Sequence, residues 1–188
     1  FQRNPSEWLD NNSDGYDNTK SKTLSGLSYG NGTYLIDWSS DYGYLRPIFW
    51  FDADLANGTG HFAMNTYNTS GDCVSGRYLV SGYIGEWVKL TLPYPIYLSY
   101  IKIYQRSGFE NRAPIKYRIY GSNDGTNWTQ LLDVTNATYA SLVHQSATIT
   151  YTDNAFTTFA LAVNKIGLNP ADNNANWNDL EFYGAPQY

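Results

Sequence analysis

Long apolar runs are absent from this 188-residue chain, and no segment approaches the ~20 residues that a membrane-spanning helix needs. Cysteine is nearly absent too. Cys73 is the only one, so no internal disulfide can form, and a chain of this length can build a core without one. Charged residues make up only 15%, with a formal net charge of −5 and no cluster of Lys and Arg. Nucleic acid is therefore excluded as a partner, because the phosphate backbone requires a basic patch.

The signatures of common catalytic sites are also lacking. The two histidines, His61 and His144, are far apart in the sequence, and no G-x-S-x-G motif lies near either. Cys73 has no His beside it to activate a thiolate. Phosphate-binding loops, dinucleotide fingerprints and zinc-ligand spacings do not occur. The sequence therefore predicts a protein that binds rather than one that catalyses. The chain starts at Phe1 without a signal-peptide pattern, so we expect any targeting segment to have been removed.

Aromatic residues, in contrast, are abundant: they make up 17% of the chain and include 18 Tyr. Such side chains suit a pleated, half-buried surface and favour strands over helices. Short alternating runs recur between turn signals, and no stretch has a sustained 3.6-residue period. The predicted strands are 34–36, 48–50, 77–80, 86–92 (ending at Pro93), 100–104, 116–120, 147–151, 156–163 and 180–183. This pattern predicts an all-β sandwich or jelly roll.

The first 33 residues differ from the rest. Residues 1–33 are polar and rich in Gly and Asn, which predicts an extended arm with at most one or two short strands, whereas residues 34–188 form the predicted sandwich domain. Residues 10–15 match the first half of an EF-hand loop, but Ser21 stands at the position that requires Glu, so a turn-rich loop is favoured there. Six Asn-x-Ser/Thr sequons leave glycosylation open.

Three motifs carry a resemblance to a known family. Residues 85–90 read Gly-Glu-Trp-Val-Lys-Leu, residues 121–128 read Gly-Ser-Asn-Asp-Gly-Thr-Asn-Trp, and residues 178–184 read Asn-Asp-Leu-Glu-Phe-Tyr-Gly. This pattern resembles the discoidin family, also called coagulation factor 5/8 type C or family 32 carbohydrate-binding modules, over about residues 45–184. The resemblance implies a galactose-binding-like β-sandwich. Residues 106–114 are similar to versions in large-DNA-virus and algal surface proteins.

The resemblance also implies a structural calcium ion between an early acidic loop and a Glu near the C-terminus. The matching residues here are Asp52, Asp54, Thr59 and Glu181, all of which can offer the hard oxygens that calcium prefers. The family's Gly after the first Asp is replaced by Ala53, so this chain departs from the pattern. The alternative is that the two aspartates merely cap turns.

Ligands in this family bind at loops clustered at one end of the sandwich. The candidate ligand-binding residues are His61, Arg106, Phe109, Asn111, Arg112 and Trp177. An aromatic face can pack on the C–H groups of a sugar, and Arg or Asn can bridge adjacent hydroxyls. Alternatives remain open: His61 as an ordinary partly buried residue, Arg112 paired with Glu110 or another loop carboxylate to support the turn, and Trp177 packed on the core. Trp87 and Trp128 are predicted to lie in the core.

These observations predict a non-catalytic, lectin-like domain of a secreted or surface-displayed protein that binds neutral, galactose-type glycans or glycoproteins. The alternative is a structural or adhesion component of a virion or cell surface that contacts neighbouring surface or capsid proteins. The high Tyr content and the N-terminal arm suit such protein–protein packing. Phospholipid binding ranks third, because it requires exposed apolar loop residues and Phe109 is the only clear candidate.

Overall fold

The computed structural model describes residues 2–3, 20–43, 47–51, 60–150, 154–168 and 173–187. The strands in these residues are β1 (Gln2–Arg3), β2 (Ser21–Leu24), β3 (Gly32–Trp38), β4 (Gly60–His61), β5 (Tyr78–Val80), β6 (Tyr83–Ile84), β7 (Glu86–Tyr104), β8 (Pro114–Ser122), β9 (Thr129–Val134), β10 (Val143–Gln145), β11 (Phe156–Ile166), β12 (Asn176–Trp177) and β13 (Asp179–Pro186). Short 3₁₀ helices form at Pro47–Phe51 and Glu110–Arg112.

The 19-residue strand β7 takes part in both layers of the structure. Its first part pairs with β3 and β11, and its last part pairs with β13 and β10. Because a strand has only two edges, each part already has its full set of neighbours, and β7 must pass from one layer to the other. The layers are therefore β2-β3-β7-β11-β8-β9 and β1-β13-β7-β10. This arrangement confirms the predicted β-sandwich.

The crossing point of β7 explains why the prediction that its strand ends at Pro93 is wrong. The register gives no partner to residues 92–95, since the pairing with β11 shifts from Thr91 directly to Ile96. Proline has no N–H group to donate to a neighbouring strand. Proline is therefore tolerated at positions where a strand makes no hydrogen bond to its neighbours. Pro93 and Pro95 therefore mark the transfer between layers rather than the end of the strand.

Two further strand predictions are wrong. Residues 48–50 lie in the first 3₁₀ helix, because a short apolar run does not distinguish an extended segment from a buried turn. Residues 147–150 form no strand, although Ile149 is buried in the core and its N–H donates to the carbonyl oxygen of Ser99. The predictions at 77–80, 116–120, 156–163 and 180–183 each coincide largely or wholly with a strand.

The main core lies between the two layers and is filled by alternate residues of the long strands. Its fully buried members include Leu90, Ile101, Phe159, Leu161 and Phe182. The prediction for the strand tryptophans needs correction, because Trp87 and Trp128 are only partly buried. They pack outside this core, in a smaller cluster that contains Tyr83, Tyr120, Ala160 and Ala162.

The Asp-Gly pair in the motif at residues 121–128 forms the hairpin that joins β8 to β9. The Asp124 carboxylate accepts hydrogen bonds from the backbone N–H groups of Asn127 (2.7 Å) and Thr126 (2.9 Å) and from the side-chain amide of Asn127 (2.6 Å). These bonds, led by that from the Asn127 backbone, hold the pKa of Asp124 well below its usual range. Asp124 thus stabilises the turn in which it lies.

One end of the sandwich collects most of the functional candidates. Residue pairs in register place Pro114 opposite Ile166, Glu86 opposite Val163 and Tyr104 opposite Asp179, so these strand ends lie together. We call this region the loop end. It comprises residues 39–43, 60–67, 105–113, 167–168 and 173–178. The Asp-Gly hairpin lies at the opposite end, where Ser122 is opposite Thr158.

A buried histidine beneath β8 makes the stability of the fold sensitive to pH. The Tyr117 hydroxyl donates to Nε2 of His144 (2.7 Å), and Nδ1 of His144 donates to the Thr138 carbonyl (2.8 Å). The Thr138 carbonyl requires a proton on Nδ1, and the Tyr117 hydroxyl can then donate to Nε2 of the neutral imidazole. Burial lowers the pKa of His144, although the hydrogen bond to Thr138 acts in the opposite direction.

We expect the free energy of unfolding to decrease as pH falls below ~6.5, the ordinary pKa of histidine, toward the lowered value in the folded state. In that window the unfolded chain binds a proton at His144 and the folded chain does not, so acid favours unfolding. Urea unfolding across this range should show a shallower pH dependence for His144→Gln than for the wild type. Parallel curves for the two proteins would contradict the assignment.

Candidate functional site

The loop between β7 and β8 is a compact turn closed by its own residues. The Phe109 N–H donates to the Arg106 carbonyl, and the Arg112 N–H donates to the Phe109 carbonyl, both at 3.0 Å. Gly108 has a φ of +81°, which favours glycine at this position. The Glu110 carboxylate accepts the Gly108 N–H at 2.8 Å. The sequence Ser-Gly-Phe-Glu thus supplies both the bend and the group that stabilises it.

Two arginines of this loop lie against one aromatic ring. The guanidinium carbons of Arg106 and Arg112 are 4.1 and 4.5 Å from the centroid of the Phe109 ring. Both distances are within the range of cation–π attraction. Burial, together with the nearby charge of Arg112, lowers the pKa of Arg106. The phenyl ring therefore holds and orients the guanidinium groups, rather than standing alone as a platform.

The two guanidiniums differ in environment. Arg112 is 8% exposed. Arg106 is partly exposed, and no hydrogen bond or ion pair joins its guanidinium to any residue in the described ranges. Glu110 forms no ion pair with either arginine; its carboxylate is engaged with Gly108 N–H, which holds the pKa of Glu110 below its ordinary value. The loop thus holds the Arg106 guanidinium in a fixed position, and Glu110 does not accept a hydrogen bond from it.

Asn111 links the loop to the chain that follows β11. Its side-chain amide donates to the Leu168 carbonyl at 2.6 Å, while its side-chain oxygen makes no hydrogen bond to the described residues. A Cβ atom on Gly167 would lie 2.5 Å from the Asn111 carbonyl oxygen, so only glycine permits this close approach. Leu168 is 68% exposed beside this contact. Asn111 therefore offers an exposed acceptor near the arginines in sequence.

His61 lies at the same end but is nearly inaccessible. It is 3% exposed, pairs in register with Asn176, and its Nδ1 lies 3.2 Å from the side-chain amide of Asn174. Its ring stacks on that of Tyr42, with centroids 6.1 Å apart. Tyr42 itself is 40% exposed. The environment of His61 is that of a buried polar residue that supports Tyr42, a residue that sequence reasoning missed although it precedes the turn residue Gly43.

Trp177 is a component of the core, which corrects its prediction as a ligand-stacking residue. Its side chain is fully buried and stacks on Trp50, with ring centroids 3.7 Å apart and planes 6° from parallel. The Trp50 indole N–H donates to the carbonyls of Gly60 (3.0 Å) and Trp177 (2.9 Å), which joins β4 to β12. Neither face of Trp177 can reach a ligand, because Trp50 and the core surround it.

A buried carboxylate at the start of β7 connects the loops around this region. Glu86 is fully buried, and its Oε2 accepts hydrogen bonds from Ser39 Oγ and Ser40 Oγ, both at 2.5 Å. Its Oε1 accepts from Arg77 Nη1 at 2.8 Å. Ser40 Oγ accepts the Ala63 N–H at 3.1 Å. Glu86 thereby ties the segment after β3 to the segment after β4, and sequence reasoning did not single it out.

The predicted calcium ligands fall mostly outside the described residues. Those outside are Asp52, Asp54 and Thr59. Glu181 is 4% exposed, and its Oε2 accepts hydrogen bonds from the hydroxyls of Tyr104 (2.9 Å) and Tyr183 (2.7 Å). Among the residues that the structure describes, no group of three or more His, Cys, Asp or Glu is arranged to hold a metal ion.

Comparison with known proteins gives a likeness of fold. No family model matches the sequence, and no curated protein matches it. A family 32 module (CBM32-3) from a family 31 glycoside hydrolase of Clostridium perfringens is similar in structure, with a TM-score of 0.59 and 17% identity over 88% of this chain and 91% of that chain. A second C. perfringens module, solved with GalNAc-β-1,3-galactose, has a TM-score of 0.56 and 15% identity over 80% and 95%.

A third similar structure is a chitosan-binding module from a chitosanase/glucanase of Paenibacillus sp. IK-5, with a TM-score of 0.53 and 18% identity over 79% of this chain and 93% of that one. The likeness to the family 32 structures confirms the β-sandwich fold that the resemblance implied. In the described part of the chain, no helix has the length and apolar character required to cross a membrane.

Proposed function

We propose that this chain is a non-catalytic carbohydrate-binding domain whose ligand binds at the loop end. The observation that carries this proposal is the Arg106 guanidinium. It is held over Phe109, partly removed from water, and has no hydrogen-bond partner among the described residues. A donor group fixed in this way is suited to a ligand from outside the chain. Because the side chain is already ordered, binding costs little conformational entropy.

Arg106 and other residues of the loop end offer the complementary groups that a sugar requires. The planar guanidinium can donate to two adjacent hydroxyl oxygens, and the free side-chain oxygen of Asn111 can accept from a hydroxyl. Tyr42, exposed and supported by His61, presents an aromatic face of the kind that packs on the C–H groups of a pyranose. Arg112 and Phe109 act mainly through their contacts with Arg106.

Galactose and GalNAc-β-1,3-galactose are the first ligands to test, since a structurally similar module was solved with that disaccharide. A domain with this role would meet its glycans or glycoproteins outside the cell, as part of a secreted or surface-displayed protein. The alternative, a virion or cell-surface component that acts through protein–protein contacts, is less favoured, because the similar structures named above are carbohydrate-binding modules.

Replacement of Arg106 tests the proposal directly. We expect Arg106→Ala to weaken binding of galactose or the disaccharide by roughly tenfold or more, since a hydrogen bond from a charged group contributes about 1.5–3 kcal/mol. Isothermal titration calorimetry would measure the change. Arg118→Ala is the matched control, because Arg118 is paired with Asp133 on another surface and should leave affinity unchanged. If the wild type binds no sugar on a glycan array at high protein concentration, the proposed function is wrong.

We also propose that a structural calcium ion braces the loop end, held by Asp52, Asp54, Thr59 and Glu181. The residues that flank the acidic segment support this, since Phe51 stacks on Phe182 (6.4 Å) and Gly60 pairs with Trp177. Both ends of the segment are thus anchored beside the last strands.

Unpartnered oxygens in the segment before β13 also fit a hard cation. The side-chain oxygens of Asn174 and Asn176 are buried and make no hydrogen bond to the residues that the structure describes. Amide and carboxylate oxygens are the ligands that calcium prefers. Bound calcium would supply fixed positive charge and rigidity to this region.

Calcium should raise the melting temperature and EDTA should reverse the rise. Saturation to about 100 times the dissociation constant would stabilise the folded state by about 2.7 kcal/mol. Differential scanning calorimetry of the wild type and of Asp52→Asn, with magnesium as the control cation, would measure this. Equal melting temperatures in calcium and EDTA would show that the calcium proposal is wrong. The proposed sugar-binding role of Arg106 does not depend on that result.

A further inference from the structure

The Asn-x-Ser/Thr sequons of the chain differ in how well the folded protein could carry a glycan on them. Six sequons occur, and two of them, at Asn11 and Asn57, lie outside the described residues. An N-linked glycan is bulky and solvated. The fold therefore accommodates one readily only where the Asn is exposed and its side chain makes no hydrogen bond that supports the structure. The other four sequons can be compared on these two criteria.

Three of the four described sequons fail one criterion or both. The Asn31 side-chain amide donates to the Leu27 carbonyl at 2.8 Å, and its side-chain oxygen accepts the Leu27 N–H at 2.8 Å. The side-chain amide of Asn127 donates to the Asp124 carboxylate at 2.6 Å. Asn68 is partly buried, and its side-chain oxygen accepts two backbone N–H groups. In all three sequons the Asn side chain stabilises a local turn.

Asn136 meets both criteria. It is exposed, and its side chain makes no hydrogen bond to the residues that the structure describes. Thr138, the third residue of this sequon, is exposed as well. The segment follows β9, an edge strand that pairs only with β8, so no described strand flanks it on the outer side. The backbone is held by the Ala137 N–H, which donates to the Ile115 carbonyl at 2.8 Å, so this turn does not depend on the Asn136 side chain.

We propose that Asn136 carries an N-linked glycan. This inference rests on the extracellular setting of the proposed function, because a chain on that route can meet an oligosaccharyl transferase. In the transfer, Nδ2 of Asn136 forms a bond to C1 of the first sugar, and the bond from C1 to a phosphate oxygen of a lipid-linked oligosaccharide diphosphate breaks. That oxygen keeps the electron pair, and Nδ2 gives up one proton to a base of the transferase.

Peptide mapping of the intact protein from its natural source tests the proposal. Peptide N-glycosidase converts a glycosylated Asn to Asp, so digestion in heavy-oxygen water marks each glycosylated position by a mass increase. We expect the peptide that contains Asn136 to be marked, and to a greater extent than the peptides that contain Asn31 and Asn127. A parallel digestion without the glycosidase controls for spontaneous deamidation.

Variants produced in a eukaryotic secretory host assign the glycan to this sequon. Thr138→Ala removes the sequon but keeps Asn136, and it should lose one glycan, seen as faster gel migration. Thr138→Ser keeps an Asn-x-Ser sequon and should keep the glycan. Thr129→Ala is the matched control, because it changes an exposed Thr in the same way but removes the sequon of Asn127. Its glycan content should equal that of the wild type.

The outcomes separate this inference from the proposed function. An unmarked Asn136 in the natural protein overturns the inference, as does higher occupancy at Asn31 or Asn127, or an unchanged glycan content in Thr138→Ala. None of these results bears on carbohydrate binding, which calorimetry measures on the glycosidase-treated protein. If Asn136 is glycosylated and the protein binds no sugar, the inference stands and the proposed function is wrong.

Discussion

Replacement of Glu86 by Ala should lower the free energy of unfolding by about 3–5 kcal/mol, because it removes one partner of a buried, hydrogen-bonded charge. Ser39, Ser40 and Arg77 would all lose their acceptor at once. The serine hydroxyls are partly buried and would keep only part of their hydrogen bonding. The variant would also leave a cavity at the start of β7, where Glu86 is fully buried.

Equilibrium unfolding in urea would measure this loss. Glu110→Ala is the control, since Glu110 is exposed and its removal should change stability far less than the loss of the buried Glu86. Glu86→Gln keeps the shape and one acceptor oxygen and should fall between the two, so the prediction remains testable if Glu86→Ala does not fold. Equal stability of Glu86→Ala and Glu110→Ala would show that the buried carboxylate is not a structural centre.

Trp177→Ala should destabilise the fold by about 3–5 kcal/mol, the usual cost of removing a large aromatic side chain from a core. The change would remove the stacking partner of Trp50 and one wall of the contact with Phe62, whose ring lies 5.8 Å from that of Trp177. Trp177→Phe keeps an apolar ring in the site and should cost less.

Chemical unfolding would test the Trp177 prediction, with Trp128→Ala as a matched control. Trp128 is only partly buried, so its loss should be the smaller of the two. Glycan affinity supplies the second measurement. A folded Trp177→Phe variant should bind sugar as the wild type does, because this ring is enclosed. Loss of sugar binding without loss of stability would instead place Trp177 in the ligand site.

The sequence predicted the fold class well because alternation is a local property. The run 86–92 alternates strictly, and the structure buries Val88, Leu90 and Leu92 while their neighbours are less buried. The continuation of β7 past Pro93 could not be predicted, since it depends on the described strands leaving residues 92–95 out of their register. That register is set by strands that follow much later in the chain.

The site was only partly accessible from the sequence, for the same reason. Arg106, Phe109 and Arg112 lie within one short loop, so their residue types and spacing could mark the loop as a candidate. The burial of Trp177 depends on Trp50, which is 127 residues away, and no local pattern reports such a pair. The support that His61 gives to Tyr42 likewise requires the tertiary structure.

The passage of β7 through both layers has a consequence for how the domain opens. Neither layer can separate from the other while this strand is intact, because its two halves are joined through one continuous backbone. Local fluctuations that open one sheet therefore strain the other, which favours a single cooperative transition. The amide protons of β7 should exchange with solvent only through global unfolding. The rate at which the whole domain unfolds would then limit exchange along this strand.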